Sequence, residues 1–538
     1  MKKLIFITGI IAALVLMLST GCDKNFVAIN TDPEHLTAAN MSYPTLFTSA
    51  ELITSGNSDG NGYEDWRGNL IYCSTMIQHL SSTYGYWCGD KYSYNSGYAS
   101  AYWDQNYPGP VKNITEVISH MAKVPGQSNF YNIARIFSVF MFQRITDLYG
   151  DCPYSQAGLG YIGGITYPKY DKQDSIYFDM LNTLQDAASK LDPNAPNTVG
   201  SADLIYQGNV AQWKKFAYSE MVRLAMRLTK VDPADAQKWV NVAVQGGVMQ
   251  SNADNAIVQH QIGNASNTIS NGTGWILDGQ DPDAAHISLA FMDTLQFNND
   301  PRLPWLATVC ADPTVLNDFG DTAAAVQLGQ PNGYDNGGAQ FDISLAPNWP
   351  GTKGQDVLTV QNKYSVVNRY TFSRIDAPTF FLTYSETELL LAEAAQRGWV
   401  TNQSATQYYN DGVIAAITQI DQALSPDYSG GPTAAQATAY LAAHPYNAVN
   451  GYNMINTQYW IAAFMDEYES FANWRRSGYP VLNPVNEDYP GNVTNGAIPR
   501  RLTYPVTEAA TNAANYNAAV ADLSGGDKLT SRVWWDTK

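Results

Sequence analysis

The feature that most constrains this chain is a helical stripe in which Phe130, Ile133, Ala134, Phe137, Met141, Ile145 and Leu148 recur at spacings of three and four, with Gly150 placed to stop the helix. Such a stripe lines one face of a 3.6-residue turn with apolar side chains and requires a partner to bury it. The requirement repeats. A second helix is predicted over about 175–191, and a third runs from the N-cap Asn209 through Trp213, Phe216, Ala217, Met221, Leu224, Ala225 and Leu228. More follow near 235–244, 380–397, 406–420 and 457–476. Short connections between successive helices point to stacked helical hairpins, although no repeat is visible by residue identity and periodicity alone does not establish a solenoid. From about 251 to 374 the period disappears, and Asn, Gly, Asp and Pro recur every few residues. That stretch reads as long loops carrying short strands or short helices. The expected fold class is mainly α.

The first residues belong to export. Met1-Lys2-Lys3 is a positive start, Leu4 to Leu18 is an apolar run broken only by Thr8 and Gly9, and Ser19-Thr20-Gly21-Cys22 places small residues before a cysteine. This is a signal peptide over 1–21 with a lipobox-like end. The common lipobox has Leu three residues before the cysteine, where this chain has Ser19. The run is shorter than the roughly 20 residues needed to span a hydrocarbon core. Cys22 is therefore the expected lipidation site, and the mature part, 22–538, is expected to be soluble and tethered.

Charge narrows the partners. The formal net charge is −18, and loss of the two lysines of the signal peptide takes it to −20. A body of that sign repels phosphate backbones and anionic headgroups, so nucleic acid is excluded as a partner. Charged residues make only 15 % of the chain and aromatic ones 12 %, against about 25 % charged in a typical domain. The polar surface must come largely from Asn, Gln, Ser, Thr and Tyr, which suits neutral, hydroxyl-rich ligands. Beyond Cys22 the cysteines are Cys73, Cys88, Cys152 and Cys310. A Cys73–Cys88 disulfide is open to that spacing, but separate buried thiols are the favoured reading. No zinc spacing is present. No cofactor is expected, and calcium is left open.

Catalysis finds little support. Glu386 and Glu393 share a helical face but stand roughly 10.5 Å apart along the axis, beyond the roughly 5–9.5 Å of glycosidase carboxylate pairs. Glu393 and Arg397 have the spacing of a helix-surface ion pair. Glu467 and Glu469 diverge around their helix, and Asp281 and Asp283 flank Pro282 as turn formers. No nucleophile elbow, HExxH or glycine-rich phosphate loop is found. The chain is not expected to be an enzyme.

Binding is better supported. Between Tyr84 and Tyr107 stand Tyr84, Tyr86, Trp87, Tyr92, Tyr94, Tyr98, Tyr102, Trp103 and Tyr107, interleaved with Asn, Ser, Gly and Asp. Rings on a braced loop stack against pyranose faces while amides and carboxylates take the hydroxyls. Trp103 and Tyr107 begin a helical pattern and are expected in the core, as are Trp460, Phe464, Tyr468 and Phe471. The candidate ligand-binding residues are Trp87, Tyr92, Tyr94 and Asn95, joined by Trp275, Tyr334 and Trp349 from the loop-rich middle. No metal-binding residues are expected.

Several segments resemble one family. Asn30-Thr31-Asp32-Pro33 with Leu36-Thr37 looks like the opening of SusD/RagB-type outer-membrane lipoproteins of Bacteroidetes. Tyr149-Gly150-Asp151-Cys152-Pro153-Tyr154-Ser155 resembles their YGDxPYS turn, and Trp213-Lys214-Lys215-Phe216-Ala217 with Arg223-Leu224-Ala225-Met226-Arg227 resembles the helix after it. Tyr384-Ser385-Glu386, Ala392-Glu393-Ala394, Asn473-Trp474-Arg475-Arg476-Ser477-Gly478-Tyr479-Pro480 and Arg501-Leu502-Thr503-Tyr504-Pro505 with Glu508 continue the likeness, in order, to the C-terminal part. The resemblance implies a single domain in which tetratricopeptide-like hairpins, about 40–250 and 375–480, form a scaffold, with the loop-rich 251–374 packed on it. It also implies a non-catalytic cell-surface lipoprotein that captures an oligosaccharide and acts as the lid of a SusC-like TonB-dependent outer-membrane transporter. A peptide ligand, or a mainly structural lid, is the alternative. The segment from Asp23 to about Asn30 would then be a hinge beside the anchor.

Overall fold

Nine of the described helices build the scaffold. In the computed structural model, which describes residues 41–57, 62–262, 269–316, 318–337, 339–353, 360–428, 430–485 and 487–537, they are α1 (Lys112–Met121), α2 (Ser128–Tyr149), α3 (Gln173–Lys190), α4 (Val210–Arg227), α5 (Pro233–Gly246), α6 (Tyr384–Gln396), α7 (Ala405–Thr418), α8 (Gly451–Ala462) and α9 (Glu467–Ser477). Each packs on its neighbour: α1 on α2, α2 on α3, α3 on α4, α4 on α5, α6 on α7, and α8 on α9. Contacts of α4 with α6, α6 with α8 and α2 with α9 join the hairpins across the long middle segment. Residues Pro44–Lys538 form one compact unit. Cys22, the signal peptide and the expected hinge lie outside the described residues. No described helix is long and apolar enough to cross a membrane.

Local signals account for the boundaries. The side chain of Asn209 accepts from the backbone N–H of Ala211 and Gln212, as an N-cap should. Gly150 ends α2 with φ of 88°, a value that glycine adopts without strain. Thr383 and Glu386 form a capping box at the start of α6. Two expectations are corrected. Phe380 belongs to a strand, Thr379–Leu382, paired with Ala256–Val258, because its extended backbone finds a partner before the cap. The predicted helix over 457–476 is two helices, α8 and α9, broken where Met465 turns through a φ of 77°. Trp460, Phe464, Tyr468 and Phe471 are nevertheless all buried.

The scaffold core is aromatic, with buried charge threaded through it. Phe137 is fully buried and its ring lies 5.7 Å from Phe47, 6.0 Å from Phe381 and 6.4 Å from Trp213. Arg227 donates to Glu469 at 2.5 Å, and Arg223 pairs with Glu386 at 3.0 Å. Glu393 does bond Arg397, at 2.8 Å, but it is not on the surface: Arg476 also grips it at 2.7 Å, and Asn456 donates to it at 3.0 Å. Burial raises the Glu393 carboxyl, yet the two arginines outweigh that and hold it down to about 2. Glu467 turns instead to His79, at 2.6 Å, so Glu467 and Glu469 diverge as their spacing predicts. Cys73, Cys88, Cys152 and Cys310 are all buried free thiols.

Between α5 and α6 the elements are short, and two-stranded antiparallel pairs tie them to distant parts of the chain. One such pair, Leu80–Ser81 with His286–Ile287, positions the candidate site.

Candidate functional site

That strand pair sets a register. Leu80 faces Ile287 and Ser81 faces His286. Continued past the strands, the same antiparallel count brings Tyr84 opposite Asp283 and Tyr86 opposite Asp281. The phenol of Tyr84 donates to Asp283 Oδ2 at 2.9 Å, and that of Tyr86 to Asp281 Oδ1 at 2.5 Å. Asp281 gathers two more donors on Oδ2, Trp87 Nε1 at 3.0 Å and Trp66 Nε1 at 3.2 Å. The rings of Tyr84 and Tyr86 lie 5.8 Å apart, and Trp66 meets Tyr86 edge-on at 6.5 Å.

Trp66 comes from a π-helix, Asp65–Ser74, against which the Cys88–Lys91 turn is pressed. A Cβ on Gly89 would lie 2.4 Å from the carbonyl oxygen of Ile71, so only glycine allows that approach. From the other side, Gln361 Nε2 donates to the Asp283 carbonyl at 3.2 Å while its Oε1 accepts from Thr83 at 2.6 Å. The result is a platform of three half-buried rings, Trp66, Tyr84 and Tyr86, braced from beneath by two carboxylates. Burial raises the Asp281 carboxyl, and the three donors oppose that rise. Burial likewise pushes both phenols above their ordinary range, their aspartate partners adding to it. Such an arrangement suits adsorption: rings held in place by the carboxylates offer their faces to the C–H face of a sugar.

The expected site residues fall in several places. Trp87 and Tyr92 are corrected as contact residues, since both are 0 % exposed. Trp87 sits under the platform as the fully buried donor to Asp281, and Tyr92 closes the same turn in a left-handed conformation with φ of 52°. Tyr94 is 44 % exposed, and Thr503 donates to its hydroxyl at 3.3 Å. Asn95 is an N-cap whose side chain accepts from Tyr98 N at 3.1 Å. Trp275, 38 % exposed, ends the short helix Gly272–Trp275, which packs against the helix that carries Trp66. Tyr334 and Trp349 are brought together, but as partly buried packing on a small core of Ile343, Ala346 and Tyr364.

Sequence reasoning missed Trp66 and took Asp281 and Asp283 for turn formers. The structure makes them anchors. The available signal was the match of two spacings, Tyr-x-Tyr at 84 and 86 against Asp-x-Asp at 281 and 283. Among the described residues, no group of three or more His, Cys, Asp or Glu is arranged to hold a metal ion. Two of the three carboxylates of α6 are engaged by arginines: Glu386 by Arg223, Glu393 by Arg476 and Arg397.

Comparison with known proteins gives the family. A family model described as "Starch-binding associating with outer membrane", the SusD-like group, matches residues 38–505. Among solved structures, a chitin-binding protein is 33 % identical with a TM-score of 0.77, covering 92 % of this chain and 100 % of its own. A SusD-like protein of Bacteroidetes AC2a is 27 % identical with a TM-score of 0.78, covering 93 % and 100 %. A chitin-binding SusD homolog from Flavobacterium johnsoniae, at 21 % identity and a TM-score of 0.73 over 92 % of this chain and 99 % of its own, shares the fold. No curated protein matches the chain. With a family match over most of its length and the tetratricopeptide-like helical fold of its neighbours, this chain belongs to the SusD-like family of outer-membrane-associated proteins.

Proposed function

We propose that the chain is a non-catalytic cell-surface lipoprotein that captures a neutral oligosaccharide on the Trp66–Tyr84–Tyr86 platform. The observation that carries this reading is the platform itself: three rings held by Asp281 and Asp283 on a mature body of net charge −20, which repels anionic ligands. The 33 % identical chitin-binding protein supports an N-acetylated glycan as the ligand class. On this reading Trp275, exposed on the segment that leads into Asp281, is a further candidate ring for the ligand.

The partner on this reading is a SusC-like TonB-dependent transporter, over whose barrel the lipoprotein closes as a lid. The tether is lipid on Cys22 at the outer face of the outer membrane, so Cys22→Ser should release the protein from the membrane fraction and reduce uptake more than ligand affinity. Affinity electrophoresis against a polysaccharide panel tests the ligand class. Retardation is expected in neutral glycans, with glycol chitin among them, and not in polyuronates. Retardation only in polyuronates, or in none, contradicts the proposal.

A further inference from the structure

A second cleft has no part in the function proposed above. Its lining includes Tyr107, Pro153, Tyr167, Pro168, Glu508 and Asn512, and its volume is about 360 Å³, inside the roughly 300–1,000 Å³ range of small-molecule pockets. We propose that this cleft is a second carbohydrate-binding site, an inference that rests on reading the chain as a glycan binder. None of the platform residues lines it.

Three observations converge on a sugar. The first is an exposed ring on a fixed backbone. Tyr167 is 67 % exposed, yet Asn515 Nδ2 donates to its carbonyl at 3.4 Å, Asn512 Nδ2 to that of Pro168 at 2.9 Å, and Lys169 N donates to Gln156 Oε1 at 2.9 Å. An aromatic held out to solvent on braced backbone is pre-organised for stacking, because little ordering remains to be done when a ligand arrives. Second, the lining is ring-rich and its rings are held by their neighbours. Tyr107 is half-buried rather than a full core residue as its spacing predicted; its hydroxyl donates to the Pro153 carbonyl at 2.7 Å, and its ring lies 4.6 Å from that of Trp103.

Third, the lining holds an oriented acceptor. Glu508 Oε2 accepts from Tyr170 at 2.6 Å, which fixes the carboxylate and leaves its other oxygen to take a ligand hydroxyl. A wholly apolar occupant would cover that carboxylate without bonding it, at a desolvation cost. The lining contains no Lys or Arg, so an anion has no counter-charge there. A neutral sugar satisfies both the rings and the carboxylate. Two sites on one body would hold a glycan chain at two points, raising retention of a polymer over that of a short oligosaccharide.

Calorimetry on the full mature chain, with chitobiose and chitohexaose as probes, separates the possibilities. Tyr167→Ala and Glu508→Gln should each weaken chitohexaose binding by roughly three- to tenfold. Tyr84→Ala/Tyr86→Ala should leave a weak residual binding that Tyr167→Ala then abolishes. Because Tyr167 is exposed, its variant should melt with wild type, and that measurement accompanies the titration. Wild-type affinity in both Tyr167→Ala and Glu508→Gln overturns the cleft alone. Failure of the wild-type chain to bind either probe overturns the cleft together with the N-acetylated ligand class.

Discussion

Asp281→Ala tests the keystone of the platform. The substitution removes the acceptor shared by Trp66, Tyr86 and Trp87. The indole N–H of Trp87 is fully buried and would be left without a partner, a loss of about 1–3 kcal/mol. Trp66 and Tyr86 are only half-buried, so water replaces their bonds in part and the two together add about 1 kcal/mol. The sum is about 2–4 kcal/mol of stability. Asp281→Asn behaves differently. Its amide oxygen, placed where Oδ2 stands, still accepts from both indoles, and the Tyr86 hydroxyl rotates from donating to accepting. The expected loss is then about 1 kcal/mol, the difference between charged and neutral acceptors. Urea denaturation followed by tryptophan fluorescence reads both variants. If Ala proves no more destabilising than Asn, the carboxylate is not what holds the rings, and the account of the platform's rigidity is wrong.

Further outcomes follow from the scaffold. Phe137→Ala should destabilise the fold by about 3–5 kcal/mol, since four ring neighbours close around a fully buried side chain, and calorimetric unfolding would measure it. Stability should also have an acid optimum. Glu393 and Glu469, held down to about 2 in the fold by their arginines against the opposing effect of burial, contribute stability that is complete above the ordinary value of 4.5 and is lost as pH falls towards 2. Burial acts in the opposite sense on Glu220 and Asp65, pushed up to about 8 and about 7, so the folded state holds protons there that the unfolded chain releases, and stability declines as pH rises from about 4 to 8. A urea midpoint that peaks near pH 4–5 is expected, and one that climbs steadily to pH 8 would contradict these assignments.

Periodicity carried the scaffold because each helix buries a face that its own residues define. The stripe from Phe130 to Leu148 became α2, and Asn209 capped α4 as its residue type required. It misled where one apolar pattern crossed a break: Trp460 and Phe471 keep helical spacing although Met465 turns the chain between them. The site was less legible, for a physical reason. Aromatic density around Tyr84 and Trp87 marked the right segment, but density does not tell which ring faces water. Trp87 is buried because Asp281, 194 residues away in sequence, offers it an acceptor, and Trp66 joins because the same carboxylate has room for one more donor. Those partnerships depend on the Ser81–His286 register, which no local signal announces.

On the proposed function the platform binds a neutral glycan. Calorimetric titration of the mature chain with chitohexaose, beside the Tyr84→Ala/Tyr86→Ala variant, tests it most directly. Wild type should bind saturably and the variant at least tenfold more weakly, about 1.4 kcal/mol or more, with melting behaviour retained. Equal affinity in the two proteins would contradict it.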